Sequence, residues 1–236
     1  MKNILSNPNQ FNLEAPIAHV INRHPDFISY GDASLEAAGG FSRDLFWWHI
    51  EWPDQIKSLT LKKIIVTRKC LDTDKLVSIN LLEFIVEIIN YIAITQLYKE
   101  EPKLCSHSNP LLMNWTDNTT ALSWLRKAAT RTDKGRSLQH LLCSLMINNA
   151  VGIKADHIAG SQNVLADAIS RVYTSSYSKH SFKNLFQEFP QMKSWKRFHP
   201  SQELLSLLYS ILLEEQDQGL WHPKNLGHFA PGNNIL

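Results

Sequence analysis

Four acidic positions stand out for where they fall along the chain. Asp32 follows the apolar, β-prone run Phe27–Tyr30, inside Gly31-Asp32-Ala33-Ser34. Glu83, with Glu87 one turn on, sits in an apolar stripe of helical spacing that includes Leu82, Phe84, Ile85 and Ile88. Asp117 ends the apolar strand Leu111–Trp115, and Asp167 lies in the first turn of a helix that Asn163 caps. Strand ends and helix starts of α/β sheets are where ligands gather. Carboxylate oxygens are the natural ligands of hard divalent cations, and carboxylates packed together repel one another without one. Plainer explanations exist for each. An aspartate beside glycine suits a turn, a first-turn acid answers the helix dipole, and both glutamates fit a solvent-facing side. The breadth of the apolar stripe presses against the last of these, because a carboxylate inside it needs a partner or a cation. Spacing alone does not choose between Glu83 and Glu87.

The elements that must position these residues follow from patterning. Phe27–Tyr30, a break at Gly39-Gly40, and the aromatic run Phe41–Trp52 closed by Pro53 read as a three-stranded antiparallel meander. Residues 54–76 carry six lysines and arginines and read as a solvated insertion with one short strand at Ile64–Val66. The long apolar helix follows, then the loop Lys99–Asn109 and the strand at Leu111. A helix capped by Asn118 or Thr119 comes next, then one through Leu138, Leu141 and Leu145. The strand Gly152–Ile158 precedes the last helix. The expected fold is α/β, a mixed five-stranded sheet with flanking helices over residues 27–172. Residues 1–26 read as an irregular lead-in. Residues 173–236 read as a linker and helical tail, with an amphipathic helix at Ser201–Glu215.

Composition narrows the class. The chain has 236 residues, is 44% hydrophobic and carries a net charge of only +2, so it is globular and any nucleic-acid surface must be a local patch. The most basic stretch is Arg126–Arg136, with Arg126, Lys127, Arg131, Lys134 and Arg136 as candidate phosphate contacts; a solvated face fits it too. Cys70, Cys105 and Cys143 are far apart with no C-x-x-C, which argues against a zinc site or disulfide framework and fits an intracellular protein. The start of the chain lacks a signal-peptide run. The longest apolar run, Val77–Tyr98, is interrupted by Asn80, Glu83, Glu87 and Asn90, which argues against a membrane span.

The stretch His157–Arg171, H-I-A-G-S-Q-N-V-L-A-D-A-I-S-R, resembles the last motif of the ribonuclease H domain in retroelement reverse transcriptases, H-x-x-G-x-x-N-x-x-A-D-x-x-S-R. Similar wording recurs upstream: A-P-I-A-H-V-I from Ala15, Y-G-D-A-S-L-E-A-A-G-G from Tyr30, F-W-W-H-I-E-W-P from Phe46, I-N-L-L-E-F from Ile79 and T-D-N-T-T-A-L-S-W from Thr116. The likeness spans roughly residues 15–172 and extends to DIRS-like retrotransposons. It implies a ribonuclease H fold whose Asp-Glu-Asp-Asp set is Asp32, Glu83, Asp117 and Asp167, with Glu83 rather than Glu87 at the matching position. It also implies two Mg²⁺ ions, or Mn²⁺ in their place. Two such ions about 3.5–4 Å apart activate water and stabilise a charged leaving oxygen. The implied substrate is the RNA strand of an RNA–DNA hybrid, marked by its 2′-hydroxyl and cut to leave a 3′-hydroxyl and a 5′-phosphate. The implied partner is the polymerase domain of a parent polyprotein.

Departures from the pattern are informative. His157 sits on the strand rather than in a longer loop, and reads as a packed strand histidine with no proton-transfer role. The insertion at 54–76 strays from the compact type. No Tyr-x-Asp-Asp occurs, so the chain reads as a piece excised from a polyprotein, and the tail resembles the connector that follows this domain. Three rival readings compete. A decayed copy would bind nucleic acid without turnover. A proofreading-type exonuclease would need Asp-x-Glu on the first strand, where this chain has Asp32-Ala33-Ser34. A DNA-binding tail would need a less mixed charge than residues 173–236 carry.

Overall fold

The computed structural model describes residues 23–66, 76–149, 151–173 and 181–213. The Ala15 motif with most of the lead-in, the end of the insertion, most of the linker and the last part of the tail lie outside the described residues.

The chain builds a six-stranded mixed sheet. Its strands are β1 (Phe27–Ala33), β2 (Ala37–Ser42), β3 (Phe46–Glu51), β4 (Leu111–Thr116), β5 (Gly152–His157) and β6 (Lys196–Arg197), in the order β5-β4-β1-β2-β3-β6. The meander β1-β2-β3 is antiparallel, whereas β1–β4, β4–β5 and β3–β6 are parallel. The sixth strand departs from the five expected. Lys-Arg has no strand pattern of its own. It is pinned beside β3 because Trp195 before it and Phe198 after it are anchored, and Lys196 and Phe198 donate N–H to Leu45 and Trp47 carbonyls at 3.0 and 2.8 Å.

The second departure lies in the insertion, where Asp54–Val66 forms a helix, α1, instead of a loop with a strand. Ile56 and Thr60, four residues apart, face inward and are buried, so the helical period there serves the core. The β-branched run Ile64–Val66 continues that helix against its local preference.

Helix α2 (Ile79–Glu100) starts at Ser78, whose side chain accepts the Leu81 N–H. It is long and apolar enough to cross a membrane, yet 83% of its apolar window is buried inside the protein, which is the packing of a core helix. The other helices are α3 (Thr119–Lys127), α4 (Asp133–Asn149), α5 (Val164–Ser170), α6 (Phe182–Glu188) and α7 (Gln202–Leu213).

Strand alternation divides these between two cores. Gly31 and Trp48 face α2, and a large core forms there with contributions from α1, α3, α4 and α7. Phe41 and Trp47 face the opposite side, where α5, α6 and Trp195 close a smaller, aromatic core. Two glycines set the approach distance. A Cβ on Gly31 would lie 2.2 Å from Val86 of α2, and one on Gly39 would lie 2.2 Å from Ile169 of α5. The helices carrying Glu83 and Asp167 therefore sit close against β1 and β2 from opposite faces.

Candidate metal centre

Strands β1 and β4 run parallel side by side, so their C-terminal ends open on the same edge of the sheet. Asp32 is next to last in β1, and Asp117 follows the last residue of β4. From above, α2 brings down Glu83. One carboxylate oxygen from each of Asp32, Glu83 and Asp117 lies within 4.8 Å of the others. Asp32 and Glu83 are buried at 7% and 4% exposure, and Asp117 is half-buried. Three residues separated by up to 85 positions thus converge on one point.

The cluster is electrostatically uncomfortable. Burial raises Asp32 to about 6; the Ser170 hydroxyl that donates to it opposes this, while Asp117 and Asp167 add to it. Burial, then Asp32, Asp117 and Glu87, push Glu83 well above the carboxylate range, against the Ala33 N–H. Asp117 is also raised by burial and by Asp167, with its own N–H and His157 opposing. Among the described residues the buried Glu83 Oε2 has no hydrogen-bond partner. Oxygen-only donors, surplus negative charge and an orphaned buried oxygen are what a hard divalent cation satisfies.

Asp167 stands beside this trio rather than within it. Arg171, one turn on, donates Nε–H to Asp167 Oδ1 at 2.8 Å, and the aspartate is 42% exposed. Its charge still bears on Asp32 and Asp117. Glu87 lies deeper, fully buried, and among the described residues neither of its oxygens closes a hydrogen bond of normal geometry. Burial raises it to about 8, against the pull of the Thr116 and Asn114 side chains.

Local capping explains part of the positioning. Asn118 is the N-cap of α3, its side chain accepting from Thr120 and Ala121 N–H at 3.0 and 2.9 Å, and this fixes the turn that carries Asp117. Asn163 occupies the N-cap position of α5 without capping it. Its Nδ2 donates to the Gly31 carbonyl at 2.9 Å instead, tying α5 to β1 one residue from Asp32. His157 is exposed at the end of β5 rather than packed on the strand. Ser170 and Arg171 went unassigned in the sequence, although they are the closing Ser-Arg of the motif quoted there; each holds one acid of the set.

The basic patch divides. Lys127 and Arg131 are exposed and line a cleft of about 470 Å³ with Trp124 and the hydroxyls of Thr120, Ser123, Thr130 and Thr132. Arg126 is exposed but pairs with Asp156 at 2.6 Å, and Arg136 pairs with Asp133. Lys134 does not belong to a phosphate-facing surface. It is buried, and its Nζ donates to the Leu212 carbonyl at the end of α7 at 2.6 Å.

Fold and site together define an α/β protein with a six-stranded mixed sheet, flanking helices and a buried acidic cluster at the sheet's edge. No family model, curated protein or solved structure matches the chain.

Proposed function

We propose that the chain is a ribonuclease H-type hydrolase that uses Mg²⁺ or Mn²⁺ to cut the RNA strand of RNA–DNA hybrids, and that it derives from a DIRS-like retrotransposon reverse transcriptase polyprotein. The observation that carries this reading is the convergence of Asp32, Glu83 and Asp117, far apart in sequence, on one buried point.

Asp32, Glu83 and Asp117 would hold one ion, and Asp32 with Asp167 a second. When bound, the two ions supply an activated water and stabilisation of the leaving oxygen. The chain's own residues do the rest. Ser170 orients the Asp32 carboxylate, and the Asn163 amide locks α5 against β1 so that Asp167 stays within reach. Glu83, whose affinity for protons is raised by burial and its acidic neighbours, would give up its proton to hold a cation. His157 stands exposed at the rim beside Asp117, open to a bound strand. Lys127 and Arg131 offer two cations to the phosphate backbone.

A second reading is favoured by one contact. Arg171 neutralises Asp167, and a permanent pair there would leave the second ion without its ligand. The chain would then be a non-catalytic remnant that still binds hybrids. An end-labelled hybrid incubated with the purified chain separates the two. Nicks in the RNA strand that need Mg²⁺ or Mn²⁺, with double-stranded DNA left intact, are expected. Binding without cleavage at any metal concentration would establish the remnant reading.

A further inference from the structure

We propose that Asp26, Cys105 and His107 form a zinc-binding clip at the end of β1 and β4 opposite the carboxylate cluster. Asp26 immediately precedes β1, and Cys105 and His107 lie in the loop that leads into β4. One donor atom from each lies within 4.8 Å of the others. No paired-cysteine spacing marks this set, because its third member is 79 residues upstream of Cys105.

The geometry argues for a common cation rather than a nucleophile relay. A relay needs the thiol on one ring nitrogen and the carboxylate on the other. Here both face the same nitrogen: His107 Nδ1 is 2.5 Å from Asp26 Oδ1 and 4.0 Å from Cys105 Sγ. An Asp–His hydrogen bond accounts for two of the three groups, and the thiol, held by the His107 backbone N–H and carbonyl at 3.3 and 3.6 Å, turns to the same pair. The supporting contacts fit a ligand set. Asp26 turns its other oxygen, Oδ2, to the Leu111 N–H at 2.7 Å and to Arg23 at 3.3 Å, which leaves Oδ1 for the site. The His107 N–H donates to Cys105 Sγ at 3.3 Å, and the Tyr98 hydroxyl donates to the His107 carbonyl at 3.2 Å, so the loop is held with its donors turned inward. A mixed sulfur, nitrogen and oxygen set selects zinc over magnesium. Three protein ligands leave the fourth position to water on the exposed side of His107. A bound ion would tie the entry of β1 to the loop after α2 without touching the acidic edge.

The test uses Co²⁺ as the spectroscopic probe of the site. The reduced full chain, stripped of metal, is titrated with Co²⁺ and followed in the near-ultraviolet. The expected result is a thiolate-to-cobalt charge-transfer band that saturates at one equivalent and disappears when Zn²⁺ is added. The band should persist in Cys143→Ser and Asp32→Asn, and vanish in Cys105→Ser. Far-UV circular dichroism checks that the Cys105 variant is folded, and His107→Ala supplies a second variant that should fail to saturate. A missing band in the parent chain, or one that survives Cys105→Ser, overturns the proposal. Because Asp32→Asn is expected to keep the band, failure here and failure of the nuclease reading are separate outcomes.

Discussion

At their C-terminal ends β1 presents Asp32 and β4 leads into Asp117; at their N-terminal ends the same two strands are preceded by Asp26 and by the loop of Cys105 and His107. Each end gathers a carboxylate from β1's side with groups from β4's side, yet the electrostatics differ in sign. At the C-terminal end burial and mutual repulsion raise Asp32, Glu83 and Asp117 together. At the N-terminal end burial also raises Asp26, but the Leu111 N–H, His107, Cys105 and Arg23 outweigh it, and its carboxyl falls below the ordinary value. The acidic cluster is therefore left with uncompensated negative charge. The mixed cluster is balanced on its own, so a metal there adds to a set already satisfied.

The largest expected effect is at the uncompensated end. Asp32→Asn should abolish hybrid cleavage while far-UV circular dichroism stays unchanged, since the amide keeps the shape and loses the charge. Glu83→Gln should cost orders of magnitude in rate and weaken Mg²⁺ binding. Glu87→Gln, one turn deeper and about 6 Å along the axis, should cost less than about tenfold, the lower range for outer-shell partners. A dead Glu87→Gln with an active Glu83→Gln would reverse the roles of the two glutamates.

Stability against pH gives the next largest effect. Asp32 rises from 3.8 to about 6 and Glu87 from 4.5 to about 8, so the folded chain holds protons that the unfolded chain releases. Their contribution is fully present below the unfolded values and is lost as pH rises through about 6 and then about 8. The metal-free Tm should fall between those limits, and Glu87→Gln should flatten the upper part of the fall. Saturating Mg²⁺ should restore Tm at the alkaline end. A metal-free Tm that rises with pH across this window would contradict the assignment of an uncompensated cluster.

Smaller effects separate the basic residues. Lys127→Ala and Arg131→Ala should each lower the salt dependence of hybrid binding by roughly one unit of slope. Lys134→Ala should leave the slope alone and lower Tm, because it removes the tie to α7. At the balanced end, Cys105→Ser should change cleavage by no more than about twofold, the rate equivalent of an ordinary surface substitution.

Much of this arrangement was legible in the sequence because local signals and long-range placement agreed. Strand ends at Asp32 and Asp117 and the stripe around Glu83 placed three acids on elements that the sheet topology brings together. What was not legible depended on tertiary contacts. Lys196–Arg197 became a strand only because its aromatic neighbours are anchored, and α1 formed where β-branched residues favour strand. Lys134 turned inward to a carbonyl 78 residues away, and Asn163 gave up its cap for Gly31. The pairing of Arg171 with Asp167 lies within one helical turn, but nothing in residue spacing ranks it above metal binding.

If Asp32, Glu83 and Asp117 form a cation site, titration calorimetry of the metal-free chain reads it out. Mg²⁺ is added near pH 6 in two buffers of different ionisation enthalpy. The expected result is binding to the parent chain with a heat that depends on the buffer, because Asp32 and Glu83 release protons as the cation enters. Asp32→Asn and Glu83→Gln should each weaken binding sharply, while Cys105→Ser should not. No Mg²⁺ binding by the parent chain, or equal binding by Asp32→Asn, would contradict the account.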